Sequence, residues 1–288
     1  MPHKLFADLQ LHSSASDGSD PPAEVVRRAR ALKFAAIALT DHDTMAGVPA
    51  ALDAAESLGI ECIPAVELST LDENERQVDI LGYGIDHRDE DFAAELTRIR
   101  SGRMGRAHAM VEKLNELGYP VSWQRVQEIA GSENVGRPHV AKAMVEAKIV
   151  PNINAAFTPE FIADGGRCYV QRVKITPEEA IARIHQAGGV ACAAHPARTR
   201  LTDKEIEHLV DSGLDAIEVY YPQHSADDTR RFEEIAARYG LLTCGGSDDH
   251  GDINEGRLMG TIRLPYVHVE RLHIAIADRQ SEARGGPA

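Results

Sequence analysis

The chain has 288 residues and a formal net charge of −14 at pH 7, which is long enough for one large α/β domain or for a domain with an insertion. The negative charge disfavours tight binding to long nucleic acid, whose backbone is also anionic. No apolar run approaches the roughly 20 residues of a membrane span, and the start, MPHKLFADLQ, lacks a secretory pattern. We therefore expect a cytoplasmic protein without membrane contact. The four cysteines include no CxxC pair, which is typical of reduced thiols.

Short apolar, β-branched runs alternate along the chain with amphipathic stretches. The runs predict seven strands, at residues 5–11, 36–40, 61–67, 77–83, 190–194, 216–220 and 242–246. The amphipathic stretches between them predict helices at residues 21–32, 48–58, 177–187, 203–212 and 226–239, several of which open with Pro, Asp or Ser. Such an alternation implies an α/β fold with a parallel sheet, and seven strands suggest a closed or nearly closed barrel.

The alternation stops between about residues 89 and 166. This stretch is helical in pattern, with the segments RIRSGRMGRAHAMVEKLNELG, SWQRVQEIAG and RPHVAKAMVEAK. We expect a helical subdomain at residues 89–166, inserted between the fourth and fifth strands of a barrel domain made of residues 1–88 and 167–288. Its arginines could contact a phosphate chain, although a solvated helix face is the commoner explanation of such a pattern.

Histidines and carboxylates recur just beyond the predicted strands, in the motifs DLQLHSSASDG (8–18), LTDHD (39–43), VELS (66–69), AHP (194–196) and GSDDH (246–250). In a barrel of parallel strands, these positions converge at the carboxyl end. Imidazole nitrogen and carboxylate oxygen suit Zn, Mn and Fe, and a carboxylate such as Glu67 can bridge two cations. A water bound there loses a proton near neutral pH and becomes a nucleophile. One His or Asp after a strand is more often a turn or capping residue, so the repetition is what indicates a hydrolase with a cluster of divalent metals.

Together these motifs resemble those of the PHP family (polymerase and histidinol phosphatase), and within it the branch of nucleoside 3′,5′-bisphosphate phosphatases and 5′-to-3′ exoribonucleases. The similarity runs from Asp8 to about His250. It rests on SDG (16–18), TDHDTMAG (40–47), VELST (66–70), GRPHVA (136–141), GGVACAAHP (188–196), IEVYYPQHS (217–225) and GSDDH (246–250).

The resemblance implies a distorted seven-stranded barrel of PHP type with two or three divalent metal ions. Carried over residue by residue, it gives one metal position at His12, Glu67 and Asp248, a second at Glu67 and His195 with Asp79, and a third at Asp17, His42 and His250. It also implies that basic residues contact the substrate phosphate, and the matching candidates are Arg137, His139, Arg198 and His224. His224 could also protonate a leaving oxygen, whereas His139 could instead cap or line a helix.

Two positions depart from the family pattern. Gln10 stands where the first motif usually has His, and Asp79, in VDILGYG, stands where another His is usual. An amide oxygen is a weak ligand for a transition metal, which makes Gln10 a doubtful ligand, whereas Asp79 can still coordinate. We therefore expect at least two metals and a preference shifted from Zn toward Mn or Mg. Manganese is the expected ion, with Zn, Fe and Mg as alternatives.

The sequence thus predicts a metal-dependent phosphoesterase for small phosphorylated substrates, namely a nucleoside 3′,5′-bisphosphate or the 5′ end of a short oligonucleotide. Two alternatives stay open. One is a phosphatase for another small ester such as histidinol phosphate, which the inserted segment with GRPH disfavours. The other is a degenerate, non-catalytic PHP domain that binds a ligand or partner, for which Gln10 and Asp79 would be the signs of decay. The sequence leaves the oligomeric state and the general acid open.

Overall fold

The computed structural model describes residues 5–131, 135–170, 175–252 and 257–284. The chain divides into two compact units, the first made of Met1–Ala93 and Ile175–Ala288 and the second of Ala94–Lys174. The sequence placed the inserted segment at residues 89–166. Within the described residues, none of the helices is both long enough and apolar enough to cross a bilayer.

The described residues of the first unit form one eight-stranded sheet with the order β7-β6-β5-β4-β3-β2-β1-β8. The strands are β1 (Phe6–Leu11), β2 (Ala36–Leu39), β3 (Glu61–Leu68), β4 (Ile80–Tyr83), β5 (Val190–Ala193), β6 (Ala216–Tyr220), β7 (Leu242–Gly245) and β8 (Leu264–Pro265). All seven predicted strands are present, and β8 is an addition that the sequence pattern did not predict.

The expectation of a wholly parallel sheet is wrong at two strands. Strand β4 runs antiparallel to both β3 and β5, and β8 runs antiparallel to β1. The connection from β3 to β4 contains no helix, and a parallel pair needs a longer crossover. As a result Ile80, the first residue of β4, pairs with Leu68 and Ala193, the last residues of its neighbours. The start of β4 therefore lies at the same end of the sheet as the carboxyl ends of β3 and β5.

The sheet is nearly closed where the segment after β7 meets the end of β1. The Asp248 amide donates to the Gln10 carbonyl at 3.0 Å, and the His12 amide donates to the Asp249 carbonyl at 3.0 Å. Gly246 allows this approach, since a Cβ there would lie 2.4 Å from the Gln10 nitrogen. The predicted distorted seven-stranded barrel is therefore confirmed, with the short β8 added beside the start of β1.

Helices cover the strands and are begun by side-chain caps. Thr176, Thr202 and Ser225 each accept a hydrogen bond from the amide three residues on, which satisfies amides that the helix itself cannot pair. The first unit contains α1 (Pro22–Ala31), α2 (Val48–Leu58), α7 to α9 and α10 (Val267–Arg284), which the sequence did not predict. Helices α3 to α6 follow β4 in the chain. Their bounds are α3 (Glu90–Glu116), α4 (Trp123–Ala130), α5 (Arg137–Glu146), α6 (Ile153–Ala156), α7 (Pro177–Gln186), α8 (Asp203–Asp211) and α9 (Ala226–Tyr239).

Each unit has its own apolar core. Inside the barrel, Leu9, Leu81 and Tyr83 are buried with Cys192 and Cys244, which agrees with reduced, packed thiols. In the second unit the core is formed by apolar faces of α3, α4 and α5, with Met110, Leu114, Val126, Val140 and Met144 buried. The barrel core supports the strands whose ends carry the polar motifs.

Candidate metal centre

Within the described residues, three groups of side chains that could hold a metal ion lie at the carboxyl end of the barrel. Within each group, one ligand atom per residue lies within 4.8 Å of every other. The groups are His12, Glu67 and Asp248; Glu67, Asp79 and His195; and His12, Asp17, His42 and His250. We call them the first, second and third groups. All the residues proposed as ligands except Gln10 belong to at least one of them.

Glu67 joins the first and second groups through different oxygens. Its Oε2 lies 3.1 Å from Nε2 of His12, and its Oε1 lies 3.2 Å from Nε2 of His195. In the first group, Oδ1 of Asp248 also lies 3.1 Å from Nε2 of His12. Glu67 is completely buried at the end of β3. A carboxylate with one oxygen toward each group has the arrangement of a ligand that bridges two cations.

The third group surrounds Asp17, in the loop after β1. Oδ1 of Asp17 lies 3.3 Å from Nε2 of His250, and Oδ2 lies 3.7 Å from Nε2 of His42. The rings of His12 and His250 stack with centroids 4.1 Å apart. His12 thereby links the third group to the first.

The two residues that depart from the family pattern have different environments. Asp79 precedes β4, and its Oδ2 lies 4.0 Å from Nε2 of His195 and accepts a 2.7 Å hydrogen bond from Nε2 of Gln77. Gln10 points its amide nitrogen, not its oxygen, at the centre, where Nε2 donates to Oε2 of Glu67 at 3.1 Å. Asp79 thus stands among the candidate ligands, and Gln10 stands behind one of them.

Burial and mutual contact set the charges of the groups. Burial alone would lower the pKa of His12, but its hydrogen bonds with Asp248 and Glu67 raise that pKa well above the usual value. Burial would raise the pKa of Asp248, yet the hydrogen bond with His12 holds it at about 2. The pKa of Asp79 is raised, mainly by burial and by the nearby charge of Glu67. The centre therefore holds protons that a cation must displace when it binds.

Several buried polar atoms here have no hydrogen-bond partner among the described residues. They include Oε1 of Gln10, Oδ1 of Asp79, Nδ1 of His195 and Oε1 of Glu218. Unpaired buried polar atoms are costly and rare in proteins, and their concentration at one end of the barrel indicates a site for a ligand. The nitrogen and oxygen donors of the three groups suit Mn, Fe or Zn, so the residues present fit divalent cations.

Two of the candidate ligands occupy left-handed backbone conformations. His195 has φ of 31° and Asp248 has φ of 55°, which cost free energy in residues other than glycine. The His195 amide donates to Oε2 of Glu218 at 2.8 Å, and the Tyr221 hydroxyl donates to Oδ2 of Asp248 at 2.9 Å. Sequence reasoning missed both Glu218 and Tyr221, although both lie in the motif IEVYYPQHS.

Asp41 holds the loop that carries His12 and Asp17, and it was also missed. Its buried carboxylate accepts hydrogen bonds from the Ser13 amide at 2.7 Å, the Ser13 hydroxyl at 2.7 Å and the Ser16 hydroxyl at 2.6 Å. The motif TDHD contains this residue, but nothing in the motif shows that its partners lie in the preceding loop.

Two of the four candidate phosphate-binding residues lie beside the centre. Nη1 of Arg198 lies 3.3 Å from Oδ2 of Asp248, and the Arg198 side chain is 54% exposed, so it can reach a ligand from solvent. The centroid of the Tyr221 ring lies 5.4 Å from the centroid of the His195 ring and 5.3 Å from the centroid of the His224 ring. Nδ1 of His224 lies 2.9 Å from the Val219 carbonyl, and burial lowers the pKa of His224. In the neutral ring Nδ1 is then the donor, and Nε2 is an acceptor.

The other two candidates, Arg137 and His139, belong to the second unit. Arg137 is the first residue of α5 and forms an ion pair with Asp164. Nδ1 of His139 accepts a 3.0 Å hydrogen bond from the Gly136 amide, which is the capping role that the sequence offered as an alternative. Their contact with substrate stays a prediction.

A nearly closed α/β barrel with bridged histidine and carboxylate groups at its carboxyl end is the architecture of a metal-dependent hydrolase. The chain belongs to the PHP family. The PHP domain profile matches residues 8–147. The chain is 35% identical over 266 residues to the 3′,5′-nucleoside bisphosphate phosphatase of Chromobacterium violaceum, covering 90% of this chain and 93% of the relative.

Two further relatives have different named activities. The phosphoribosyl 1,2-cyclic phosphate 1,2-diphosphodiesterase of Eggerthella lenta is 32% identical, with 91% of this chain and 98% of the relative covered. The 5′-3′ exoribonuclease Rnm of Salmonella typhimurium is 34% identical, with 86% of each chain covered. All three relatives are named for reactions that break phosphate ester bonds.

A solved structure agrees with the fold. A protein from Bifidobacterium adolescentis, assigned as a metal-dependent phosphoesterase, superposes with a TM-score of 0.81 at 31% identity, and 96% of this chain and 98% of that chain are covered. The predicted class of enzyme is confirmed: the chain is a metal-dependent phosphoric ester hydrolase.

Proposed function

We propose that this hydrolase removes phosphate from a nucleoside 3′,5′-bisphosphate or from the 5′ end of a short oligonucleotide, using two or three divalent cations of which manganese is the expected one. The observation that carries the metal assignment is the bridging position of Glu67, with one oxygen 3.1 Å from His12 and the other 3.2 Å from His195. The substrate class is supported by the 35% identity to a bisphosphate phosphatase over 90% of this chain.

The charge of the centre explains why the cations are needed. Glu67, Asp79 and Asp248 are all buried there, and ionised carboxylates repel a phosphate dianion strongly at short range. When bound, divalent cations would reverse that repulsion, polarise the phosphate oxygens and lower the pKa of a coordinated water so that it can attack phosphorus. Removal of the cations should therefore abolish binding of the phosphate as well as its hydrolysis.

The side chains around the centre have separate roles in this proposal. Arg198 is held beside Asp248 and presents donors to a phosphate oxygen. Nε2 of His224 is buried without a hydrogen-bond partner among the described residues, and as an acceptor it is suited to hold a hydroxyl or a protonated oxygen of the substrate. Arg137 and His139 are proposed to contact a substrate phosphate on the strength of the GRPH motif alone.

The direct test is release of inorganic phosphate from adenosine 3′,5′-bisphosphate by the purified chain with added Mn, compared with the same assay after chelation. We expect turnover that chelation abolishes and Mn restores. Asp248→Asn should remove most of the activity, whereas Glu207→Gln, at an exposed position on α8, should not. Folded protein that releases no phosphate with Mn would contradict the proposed substrate.

A panel of other phosphate esters then separates the alternatives. A 5′-phosphorylated short oligoribonucleotide, phosphoribosyl 1,2-cyclic phosphate and histidinol phosphate should be assayed under the same conditions. Preference for either of the last two would reassign the substrate within the same chemistry, and inactivity on the whole panel would favour a non-catalytic binding role.

The proposed phosphate contact of Arg137 has its own test. Arg137→Ala should weaken turnover while metal content stays near that of the wild type, and Arg125→Ala, at an exposed position in the same unit, is the matched control. Equal loss of turnover and metal content would mean that Arg137 supports the fold or the metal centre instead.

A further inference from the structure

We infer that Gln10 is a positioning residue that fixes the bridging orientation of Glu67, and that it is not itself a metal ligand. This inference rests on the proposed metal positions of the first and second groups. It assigns a role to the one candidate of the centre that belongs to none of the three groups.

The chemistry of the contact determines which end of the Gln10 amide faces Glu67. Nε2 of Gln10 lies 3.1 Å from Oε2 of Glu67, and both side chains are completely buried. The reversed amide would put an oxygen against a carboxylate oxygen with no proton between them, which is repulsive. A carboxylate accepts and cannot donate when ionised, so the nitrogen must face it. An amide nitrogen has no lone pair free for a cation.

This hydrogen bond decides how Glu67 divides its oxygens between the groups. Oε2 accepts from Gln10 and faces His12, while Oε1 faces His195. A carboxylate oxygen that accepts one hydrogen bond keeps a second lone pair for a cation. Rotation of the Glu67 carboxylate would break the bond with Gln10, and the unpaired amide would remain buried. Gln10 therefore acts on both groups through Glu67.

The backbone gives Gln10 little freedom to move. Its carbonyl accepts from the Asp248 amide at 3.0 Å, and Gly246 lies so close that even a Cβ would clash with the Gln10 Cβ. A donor held this firmly restricts the carboxylate that it contacts, as partners behind metal ligands commonly do.

Gln77 is the comparison within the same centre, at an exposed position where Gln10 is buried. Its Nε2 donates to Oδ2 of Asp79 at 2.7 Å, so it too stands behind a candidate ligand. Asp79, however, belongs to the second group only, whereas Glu67 belongs to two. Loss of the Gln77 amide should thus affect one cation, and loss of the Gln10 amide should affect two.

The experiment is Mn binding to the intact chain, to Gln10→Met and to Gln77→Met, measured by equilibrium dialysis, with thermal unfolding of the metal-free proteins as the fold control. Methionine keeps the length of the side chain and removes the donor. For Gln10→Met we expect two of the Mn sites to weaken, each by about 10- to 100-fold, the usual effect of removing a partner behind a ligand. For Gln77→Met we expect one site to weaken by a similar factor.

A spectroscopic readout distinguishes orientation from general loosening. Two Mn ions bridged by one carboxylate are magnetically coupled, so electron paramagnetic resonance of the wild type should show a coupled pair. The coupling should be lost or changed in Gln10→Met. If Gln10→Met does not fold, Gln10→Asn, which withdraws the amide by one methylene group, should show the same pattern.

Three results would overturn the inference, and each would have a different meaning. Weakening of a single site in Gln10→Met, with the coupled signal intact, would make Gln10 a ligand of one cation. Unchanged binding would give Gln10 no role at the centre. Wild-type protein that binds fewer than two Mn ions would refute the proposed metal positions themselves, and the inference with them.

Discussion

Replacement of Asp41 by alanine should uncouple the loop that carries His12 and Asp17 from the rest of the barrel. Asp41 is 1% exposed, and its carboxylate accepts three hydrogen bonds, two from Ser13 and one from Ser16. In Asp41→Ala the Ser13 amide and the Ser13 hydroxyl lose this acceptor while they stay buried, and the Ser16 hydroxyl loses one of its hydrogen bonds.

The magnitude follows from those three bonds. A hydrogen bond to a charged group contributes about 1.5 to 3 kcal/mol, and contributions within one network are not additive. We therefore expect Asp41→Ala to lower the free energy of unfolding of the first unit by about 3 to 5 kcal/mol, a large part of the about 5 to 15 kcal/mol of a typical domain. Asp41→Asn should cost less than half as much, because its remaining oxygen still accepts and the Ser13 hydroxyl can turn to accept from the new amide.

Urea unfolding followed by far-ultraviolet circular dichroism measures the effect, and Mn binding measures its consequence at the third group. We expect Asp41→Ala to weaken a Mn site by more than Asp41→Asn does. The reasoning would be refuted if Asp41→Ala unfolded within about 1 kcal/mol of the wild type, the size of a single neutral hydrogen bond, or if both variants were equally destabilised.

The remaining predictions concern packing, pH and metal removal. A Cβ at Gly47 would lie 2.8 Å from the Asp41 carboxylate, so Gly47→Ala should lower the unfolding temperature, whereas Gly105→Ala, with nothing within 4 Å, should raise it slightly through helix propensity. Burial would raise the pKa of Asp215, but hydrogen bonds from His185 and Arg279 hold it below the usual aspartate value of 3.8. The stability that this pair of contacts contributes is therefore present above that value and is lost as the pH falls through the lowered pKa. Asp215→Asn should accordingly destabilise by about 2 kcal/mol at pH 7 and by less near pH 3, as urea unfolding at both values will show; equal losses would contradict this. Chelation should lower the unfolding temperature, and added Mn should restore it in proportion to the logarithm of the Mn concentration. Differential scanning calorimetry measures this temperature. If it does not change with chelation or added Mn, no cation binds the native state.

Much of the barrel could be predicted because its strands are short apolar runs between helices with clear starting residues. The direction of β4 could not, since an apolar run has the same pattern in either direction and only pairing with Leu68 and Ala193 fixes it. Strand β8 consists of two residues, Leu264–Pro265, which is too short to produce any alternation. These failures arise where tertiary pairing, and not local pattern, decides the structure.

The candidate ligands could be named from sequence because histidines and carboxylates recur near the predicted strand ends, in motifs that resemble those of the PHP family. The contacts that support these ligands could not be predicted from the sequence. Glu218 accepts from the His195 amide, and Asp41 accepts from Ser13, across gaps in sequence that no motif spans. The role of Gln10 could not be predicted either, because an amide can donate or accept a hydrogen bond. Only the contact of its nitrogen with Glu67 shows that it donates.

The contact between the end of β1 and the segment after β7 also determines at what stage of folding the centre can form. Gln10 and Asp248 meet there, although nearly the whole barrel sequence separates them, and such distant contacts close late because of the loop entropy they must overcome. While the chain is being synthesised, the first and third groups still lack Asp248 and His250 after the earlier strands have emerged. A nascent chain of this enzyme thus carries an unfinished catalytic centre until β7 and the segment after it have docked, and a chain interrupted before Asp248 lacks candidate ligands of the first and third groups.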